Sequence, residues 1–192
     1  MEESKIICDN DFLSSFLWVG EEDLLTKLFK NRLYVPDAVK MELEVLKSNR
    51  YGGGVYTKFL DLVNNKKLEI LEIKLNSPEE KLMEEIKENF KLKHGKELGA
   101  GELQMITLAI HLKASFVINT ASNNLRDIVN FIQTSQIDNI TTMDVLCFAY
   151  EKKLKTFQEL ENIKTKMLAR KRKLPNDTVE EYYNKYYIKN KY

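Results

Sequence analysis

Apolar and polar residues follow one another along the chain in blocks that are typical of strands followed by helices. Short apolar runs predict buried strands in "SKIICD", "RLYVP", "LEILEI" and "SFVIN". Between these runs, apolar residues recur every three or four positions, which is the period of an amphipathic helix. The alternation predicts an α/β fold in which a central, mostly parallel sheet is covered by helices on both faces.

Two helix starts are marked by recognisable residues. Pro36 is predicted at the first helical position of "PDAVKMELEVLK", with Val39, Leu43 and Leu46 on one face. Ser77 is predicted to cap the charged helix that follows the third strand, with Glu80 as its capping-box partner. The glycines of "YGGGVY" are predicted to form a flexible bend before a helix near 55–64.

Composition and charge narrow the class of protein. A chain of 192 residues is close to the size of one large domain, and 30 basic residues against 29 acidic ones leave a net charge of +1. The charge therefore predicts no global attraction to nucleic acid or to a membrane. Cys8 and Cys147 lie in separate apolar runs, as expected for buried, reduced thiols. No window is apolar enough to span a bilayer, and we expect a cytoplasmic protein without a membrane partner.

Polar residues stand where the predicted strands end. Asp9 follows the first strand, Asn119 ends the fourth, Glu42 lies one to two turns into the helix after the second, and Glu102 lies in the first turn after "GAG". Functional sites of open α/β sheets collect outside the carboxyl ends of the strands. If the first and fourth strands are neighbours, three acids and an amide can meet in one cleft.

Four segments in this order resemble the PIN domain, a nuclease fold used by toxin ribonucleases of the VapC type and by predicted nucleic-acid-binding proteins. The segments are "IICDNDFLSSFL", "YVPDAVKMELE", "GAGELQMITLAI" and "FVINTASNNLRDI". The first three supply the acids of the family pattern, Asp9, Glu42 and Glu102. The fourth departs from it, because the family's aspartates are replaced by "INTASNNL", in which Asn119 offers only a neutral amide.

The resemblance covers residues 5 to 155 and implies a three-layer α/β/α fold for residues 1–155. The residues that follow, 156–192, predict a helical, basic and Tyr-rich extension packed on or next to that domain. The resemblance implies Asp9, Glu42, Glu102 and Asn119 as catalytic residues, with Asp9 and Glu102 holding Mg²⁺ or Mn²⁺. It also implies RNA, including single-stranded RNA, as substrate. A protein inhibitor (antitoxin) and a homodimer are partners found among the resembling domains.

Each acid also has a structural explanation. Asp9 can cap the following helix, and Asp11 can stabilise its first turn. Glu42 shares its helix with Glu44, as on an exposed acidic face. Glu102 is electrostatically favourable near a helix N-terminus without any metal.

The C-terminal segment carries a second signal. "KTKMLARKRKLP" concentrates positive charge, including Lys164, and its residues Arg170, Lys171, Arg172 and Lys173 are candidates for contacts with backbone phosphates. The tyrosines of "EEYYNKYYIKNKY" can stack on unpaired bases, dock a partner protein, or simply pack on the domain.

Two hypotheses follow from the sequence. The first is a metal-dependent endoribonuclease, toxin-like in its resemblance. The second is a PIN-like module with weak or no catalysis, which binds nucleic acid or protein. The segment that lacks the fourth acid is where the two hypotheses differ. Asparagine in place of an acid weakens a metal site but keeps its shape, so the fold can persist with reduced or lost nuclease activity.

Overall fold

The computed structural model describes residues 5–30, 32–48, 52–118, 127–128, 130 and 137–191. The strands are β1 (Ile6–Cys8), β2 (Leu33–Pro36), β3 (Leu68–Leu71), β4 (Ser115–Ile118) and β5 (Asn139–Thr141). The helices before β5 are α1 (Asn10–Val19), α2 (Glu22–Phe29), α3 (Asp37–Val45), α4 (Gly53–Asn64), α5 (Pro78–His94) and α6 (Ala100–Leu112). The helices after β5 are α7 (Thr142–Glu151), α8 (Phe157–Ala169), α9 (Val179–Tyr182) and α10 (Ile188–Lys191), the last two joined by a π-helical turn over Tyr183–Tyr187.

The five strands form one parallel sheet in the order β3-β2-β1-β4-β5. β1 lies at its centre, where Ile6 pairs with Leu33 of β2 and with Ser115 of β4. The predicted α/β class with a parallel sheet is confirmed, and the first and fourth predicted strands are neighbours. β5 was not predicted, because a three-residue edge strand is too short to show a period.

The core lies on both faces of the sheet. Side chains alternate along β1, so that Ile6 and Cys8 join one apolar cluster and Ile7 joins the other. The first cluster includes α1, α2, α3, α4, α7 and α8, and the second includes α5 and α6. Helices therefore shield each face from water.

The helix starts differ from the predictions in small ways. Pro36 ends β2 and is the N-cap of α3, so the first helical residue is Asp37 rather than Pro36 as predicted. Ser77 caps α5 as predicted, but the Glu80 carboxylate accepts from the N–H of Asn76 at 2.6 Å rather than from that of Ser77. Helix α4 begins at Gly53, so part of the glycine run is helical rather than a bend.

The C-terminal residues pack on the rest of the chain. Helix α8 contacts α1, and it contributes Leu160, Ile163 and Met167 to the first apolar cluster. Lys164, named from the sequence as part of the concentration of positive charge, is only 2% exposed, and its Nζ donates to the carbonyl of Asp177 at 2.6 Å. Lys164 thus fastens α8 to the segment before α9.

Within the part of the chain that the structure describes, no helix is both long and apolar enough to cross a bilayer.

The shared core predicts that α8 unfolds together with the sheet. Ile163→Ala should lower the free energy of unfolding by about 2–5 kcal/mol, because Ile163 is buried against α1 and its neighbours. Urea denaturation followed by circular dichroism measures the change. Leu168→Ala, on the exposed side of the same helix, is the control and should change the value by less than about 0.5 kcal/mol. Equal effects of both variants, or two separate transitions, would show that α8 is not part of this core.

Candidate functional site

Four helix N-termini are brought to one edge of the sheet by its parallel strands. α1, α3 and α7 begin directly after β1, β2 and β5, and α6 runs back toward the start of β4. All four helices therefore begin at the edge where the strands end. A helix N-terminus favours negative charge, which makes this edge suitable for carboxylates and for phosphate groups.

Asp9 lies between β1 and α1 and is the N-cap of α1. Its backbone is extended, and its Oδ1 accepts a hydrogen bond from the N–H of Phe12 at 2.6 Å. The side chain is only 8% exposed. Both the capping explanation and the predicted location at the strand end are therefore correct, and the cap fixes the direction of the carboxylate.

Glu42 lies between the start of α1 and the start of α6. Its Oε2 accepts from Nδ2 of Asn10 at 3.0 Å. Its Oε1 lies 2.8 Å from the point where a Cβ on Gly101 would be, and Val39 Cγ2 lies 3.3 Å from the same point. Only glycine at position 101 leaves room for the carboxylate there. Glu42 thus contacts the residue after Asp9 and the residue before Glu102.

Glu102 is in the first turn of α6, as predicted. Its Oε2 accepts from the N–H of Gly99 at 3.3 Å, which completes the N-terminal cap of the helix. The side chain of Gln104, one turn into α6, accepts from the N–H of Ala38 at 3.0 Å. This bond joins the starts of α3 and α6 and keeps the elements that carry Glu42 and Glu102 together.

Asn10 has an unsatisfied oxygen beside these acids. Its Nδ2 donates to Glu42, while its Oδ1 is buried and has no hydrogen-bond partner among the described residues. A buried amide oxygen without a partner costs about 1–3 kcal/mol, so such an atom calls for an explanation. Amide and carboxylate oxygens are the ligands that Mg²⁺ and similar hard cations take. The oxygens at this edge are therefore of the chemical kind that a hydrated divalent cation takes.

The described residues nevertheless contain no group of three His, Cys, Asp or Glu side chains placed to hold a metal ion together. Mg²⁺ usually keeps several waters and takes one or two protein carboxylates together with substrate phosphates. The site fits that mode of binding rather than a closed protein cage. The predicted fourth member, Asn119, lies outside the described residues.

The thiol beside Asp9 is a structural residue. Burial raises the pKa of Cys8 well above its ordinary value, and the neighbouring Asp9 charge raises it further. Burial also raises the pKa of Cys147, to about 12. Both thiols are unpaired and buried, in agreement with the sequence prediction, and neither is activated as a nucleophile.

The C-terminal segment reaches the rim of the same edge. Nη1 of Arg172 lies 3.1 Å from Oδ1 of Asp11, in the first turn of α1, and the guanidinium of Arg170 lies 5.3 Å from the ring centre of Trp18. Nε of Arg172 is buried and has no hydrogen-bond partner within the described ranges. The segment thus places a guanidinium beside α1, two residues from Asp9 in sequence.

The start of α7 holds a polar cluster of a different kind. Asp144 Oδ2 accepts from the N–H of Thr141 at 2.8 Å, and Tyr182 donates its hydroxyl proton to Asp144 Oδ1 at 3.2 Å. Burial and the Asp144 charge raise the pKa of Tyr182 above its ordinary value. Tyr187 donates likewise to Glu151 at 3.1 Å. These tyrosines pack on α7, which agrees with the structural explanation of the Tyr-rich end.

Sequence reasoning missed Asn10, and it placed Gly101 in the pattern that precedes Glu102 without predicting its contact with Glu42. Asn10 follows Asp9 in "DND", and Gly101 precedes Glu102 in "GAGE". Both contact Glu42, which is distant from each of them in sequence. The one available signal was the second glycine of "GAG", since glycine near a helix start indicates a close approach of another group.

No family model matches the chain, and no curated protein matches it either.

Gly101→Ala tests the position of the Glu42 carboxylate. The added Cβ should displace that carboxylate, the flexible end of its side chain, and leave the fold intact. Alanine also favours the helix over glycine by about 1 kcal/mol, which offsets the crowding at Val39. The ¹³C carboxyl resonance of Glu42 should shift, whereas that of exposed Glu44 on the same helix should not. An unchanged Glu42 resonance would show that the carboxylate does not contact Gly101.

Proposed function

We propose that this protein is a metal-dependent endoribonuclease of the PIN-domain type, which hydrolyses phosphodiester bonds of RNA. The proposed fold is the three-layer α/β/α arrangement of that family, and the apolar clusters on both faces of the parallel sheet support it. RNA with an accessible, unpaired stretch is the proposed substrate. A protein inhibitor is a proposed partner by the same resemblance.

The position of Glu42 carries the proposal. Its carboxylate contacts Asn10 on one side and the backbone at Gly101 on the other. It therefore connects the start of α1, which follows Asp9, with the start of α6, which carries Glu102. Structural caps alone do not need a third acid between two helices that already have their own caps. Three acids from distant parts of the sequence at one edge are instead expected of a site for a cation and a phosphate.

Asp9 and Glu102 are the proposed metal ligands. Each already accepts a backbone hydrogen bond, and a carboxylate has enough lone pairs to accept that bond and bind a cation as well. Mg²⁺ or Mn²⁺, when bound, would lower the pKa of a coordinated water and stabilise the charge that develops on the phosphate. The buried Oδ1 of Asn10 is a further neutral oxygen for the cation or its water.

The residues of the chain have separate roles in this proposal. Asn10 positions Glu42 through their hydrogen bond, and Glu42 can then accept a proton from an attacking water. The helix N-termini at this edge attract the substrate phosphate. Arg172 lies at the rim and can contact a neighbouring phosphate of the strand.

The basic segment is the proposed contact for the RNA backbone. Arg170, Lys171 and Lys173 are exposed, while Arg172 is partly buried against Asp11. Exposed cations on a segment anchored beside the acid edge can follow the phosphates of a bound strand.

A PIN-like module without catalysis is the second candidate. Asp9 and Glu102 both cap helices, and the described residues contain no three-ligand metal group, so the acids also satisfy purely structural needs. The sequence "INTASNNL" in place of acids favours the same alternative. Such a module would bind RNA and leave it intact.

Charge removal at the two proposed ligands tests the enzyme directly. Asn is as good an N-cap as Asp, and Gln can replace Glu in a capping box, so Asp9→Asn and Glu102→Gln should fold normally. Each should weaken Mn²⁺ binding about tenfold or more in calorimetry and lower RNA cleavage by at least about a hundredfold, since both the cation and its activated water are lost.

Glu44→Gln on the exposed face of α3 is the matched control and should retain both properties. Cleavage that persists in both ligand variants, or Mn²⁺ binding unaffected by them, would contradict the proposed site. RNA binding by the natural chain with no cleavage in Mg²⁺ or Mn²⁺ would favour the module.

Salt dependence tests the basic segment. Neutralising Lys171 and Lys173 together should weaken RNA binding for every sequence and reduce the slope of log Kd against log salt by about 1.4, roughly 0.7 for each lost contact to single-stranded RNA. Fluorescence anisotropy with a labelled oligonucleotide measures the slope. Lys66 and Lys67, which follow α4, form the control pair. An equal change of slope in both pairs would assign the effect to net charge rather than to this segment.

A further inference from the structure

A pocket of about 760 Å³ lies where α7 ends and α8 begins. It is lined by the end of α7, by the connecting residues Lys152–Thr156, by Glu159 of α8 and by Tyr183. α7 starts at the carboxyl edge of the sheet and has ten residues, so its end lies about 15 Å away, toward the opposite edge. The pocket is therefore separate from the acid site. Its volume is within the range of roughly 300–1,000 Å³ that is usual for small-molecule sites.

Three lysines line this pocket. Lys155 pairs with Glu21 at 3.4 Å, and the Nζ of Lys152 lies 5.1 Å from the ring centre of Phe148. Lys153 adopts a left-handed backbone conformation with φ of 56°. Within the described ranges, neither Lys152 nor Lys153 forms an ion pair with a carboxylate. The connection between the two helices thus presents two ammonium groups that form no ion pair with a described residue.

The acids of the pocket are already engaged. Glu159 accepts from the N–H of Thr156 at 2.7 Å and from its hydroxyl at 2.8 Å. Glu151 accepts from the hydroxyl of Tyr187 at 3.1 Å. The hydrogen bonds to Thr156 lower the pKa of Glu159. Both carboxylates keep their negative charge, because these partners are neutral, but their hydrogen bonds direct them to local groups. Since Lys155 pairs with Glu21, Lys152 and Lys153 are the lysines left to contact an anion.

Aromatic rings form the apolar part of the wall. Tyr150 stacks on Phe157 with ring centres 3.7 Å apart, and Tyr183 meets Tyr150 edge-on at 5.3 Å. Phe148, Tyr150 and Tyr183 line the pocket and are partly exposed. A rigid set of ring faces and edges suits a planar, aromatic group, which gains area without ordering flexible side chains.

The start of α8 adds favourable electrostatics. Thr156 caps this thirteen-residue helix, with its hydroxyl accepting from the N–H of Glu159 and its carbonyl from that of Leu160. The first two N–H groups of an α-helix have no acceptor within the helix. They direct positive charge toward the same end of the pocket as the lysines.

We propose that the pocket between α7 and α8 binds a nucleoside phosphate, with Lys152 and Lys153 holding the phosphate and the base lying against Phe148, Tyr150 and Tyr183. The combination of unpaired ammonium groups with partly exposed rings, in a pocket of this volume, distinguishes it from an ordinary charged loop. The pocket includes none of the acids of the proposed nuclease and needs no divalent metal. Its test is therefore independent of the test of the nuclease.

Calorimetry on the full chain, in buffer without divalent metal, tests the proposal with AMP as probe. Adenosine and inorganic phosphate are run separately to divide the contribution of the base from that of the phosphate. AMP should bind at least about tenfold more tightly than either, because each lacks one half of the recognition. The affinity should fall as salt is raised, since screening weakens the contact of the lysines with the phosphate.

Lys152 and Lys153 changed together to Gln should weaken AMP binding about tenfold or more, through loss of charge-assisted hydrogen bonds. Lys66→Gln is a matched control, because Lys66 also follows a helix and has a left-handed φ of 54°. It should leave AMP binding unchanged. Absence of AMP binding at millimolar concentrations, equal losses in the lysine pair and in Lys66→Gln, or adenosine or phosphate binding as tightly as AMP would each overturn the assignment.

Discussion

Parallel pairing of β1 with β2 and β4 is the constraint from which the arrangement of the acids follows. It aligns the carboxyl ends of the strands and starts α1 and α3 at one edge, while α6 returns to that edge from the other side. Asp9 and Glu102 then meet the N–H groups of their own helices. Glu42, without such a cap, reaches across to Asn10 and Gly101.

Magnitudes indicate what the proposed cation would contribute at this edge. Two carboxylates about 4 Å apart repel by about 4 kcal/mol at an effective dielectric constant near 20. A helix N-terminus stabilises each nearby negative charge by only about 0.3–1 kcal/mol. The caps therefore stabilise single acids but would not offset repulsion between acids brought that close, which is what the proposed divalent cation would supply. The Oδ1 of Asn10 supports the same proposal, because it is buried and has no hydrogen-bond partner among the described residues.

Local signals were readable from the sequence, and contacts between distant elements were not. The capping position of Asp9 and the first-turn position of Glu102 followed from spacing. The partner of Glu42 did not, because its contacts join helices that are far apart in sequence. The burial of Lys164 was not readable for a related reason. Its acceptor is a backbone carbonyl, which no residue pattern reveals. Likewise, nothing local in the Tyr-rich end identifies Asp144 as the acceptor for Tyr182.

Anomalous diffraction from crystals soaked in Mn²⁺ measures directly whether the acids share a cation. A peak within about 2 Å of carboxylate oxygens of both Asp9 and Glu102, with Glu42 beside it, is the expected result. The peak should vanish in crystals of Glu102→Gln. Full Mn²⁺ occupancy elsewhere with no peak at this edge, or a peak unchanged by the Glu102 substitution, would contradict a shared metal site and leave Asp9 and Glu102 as helix caps.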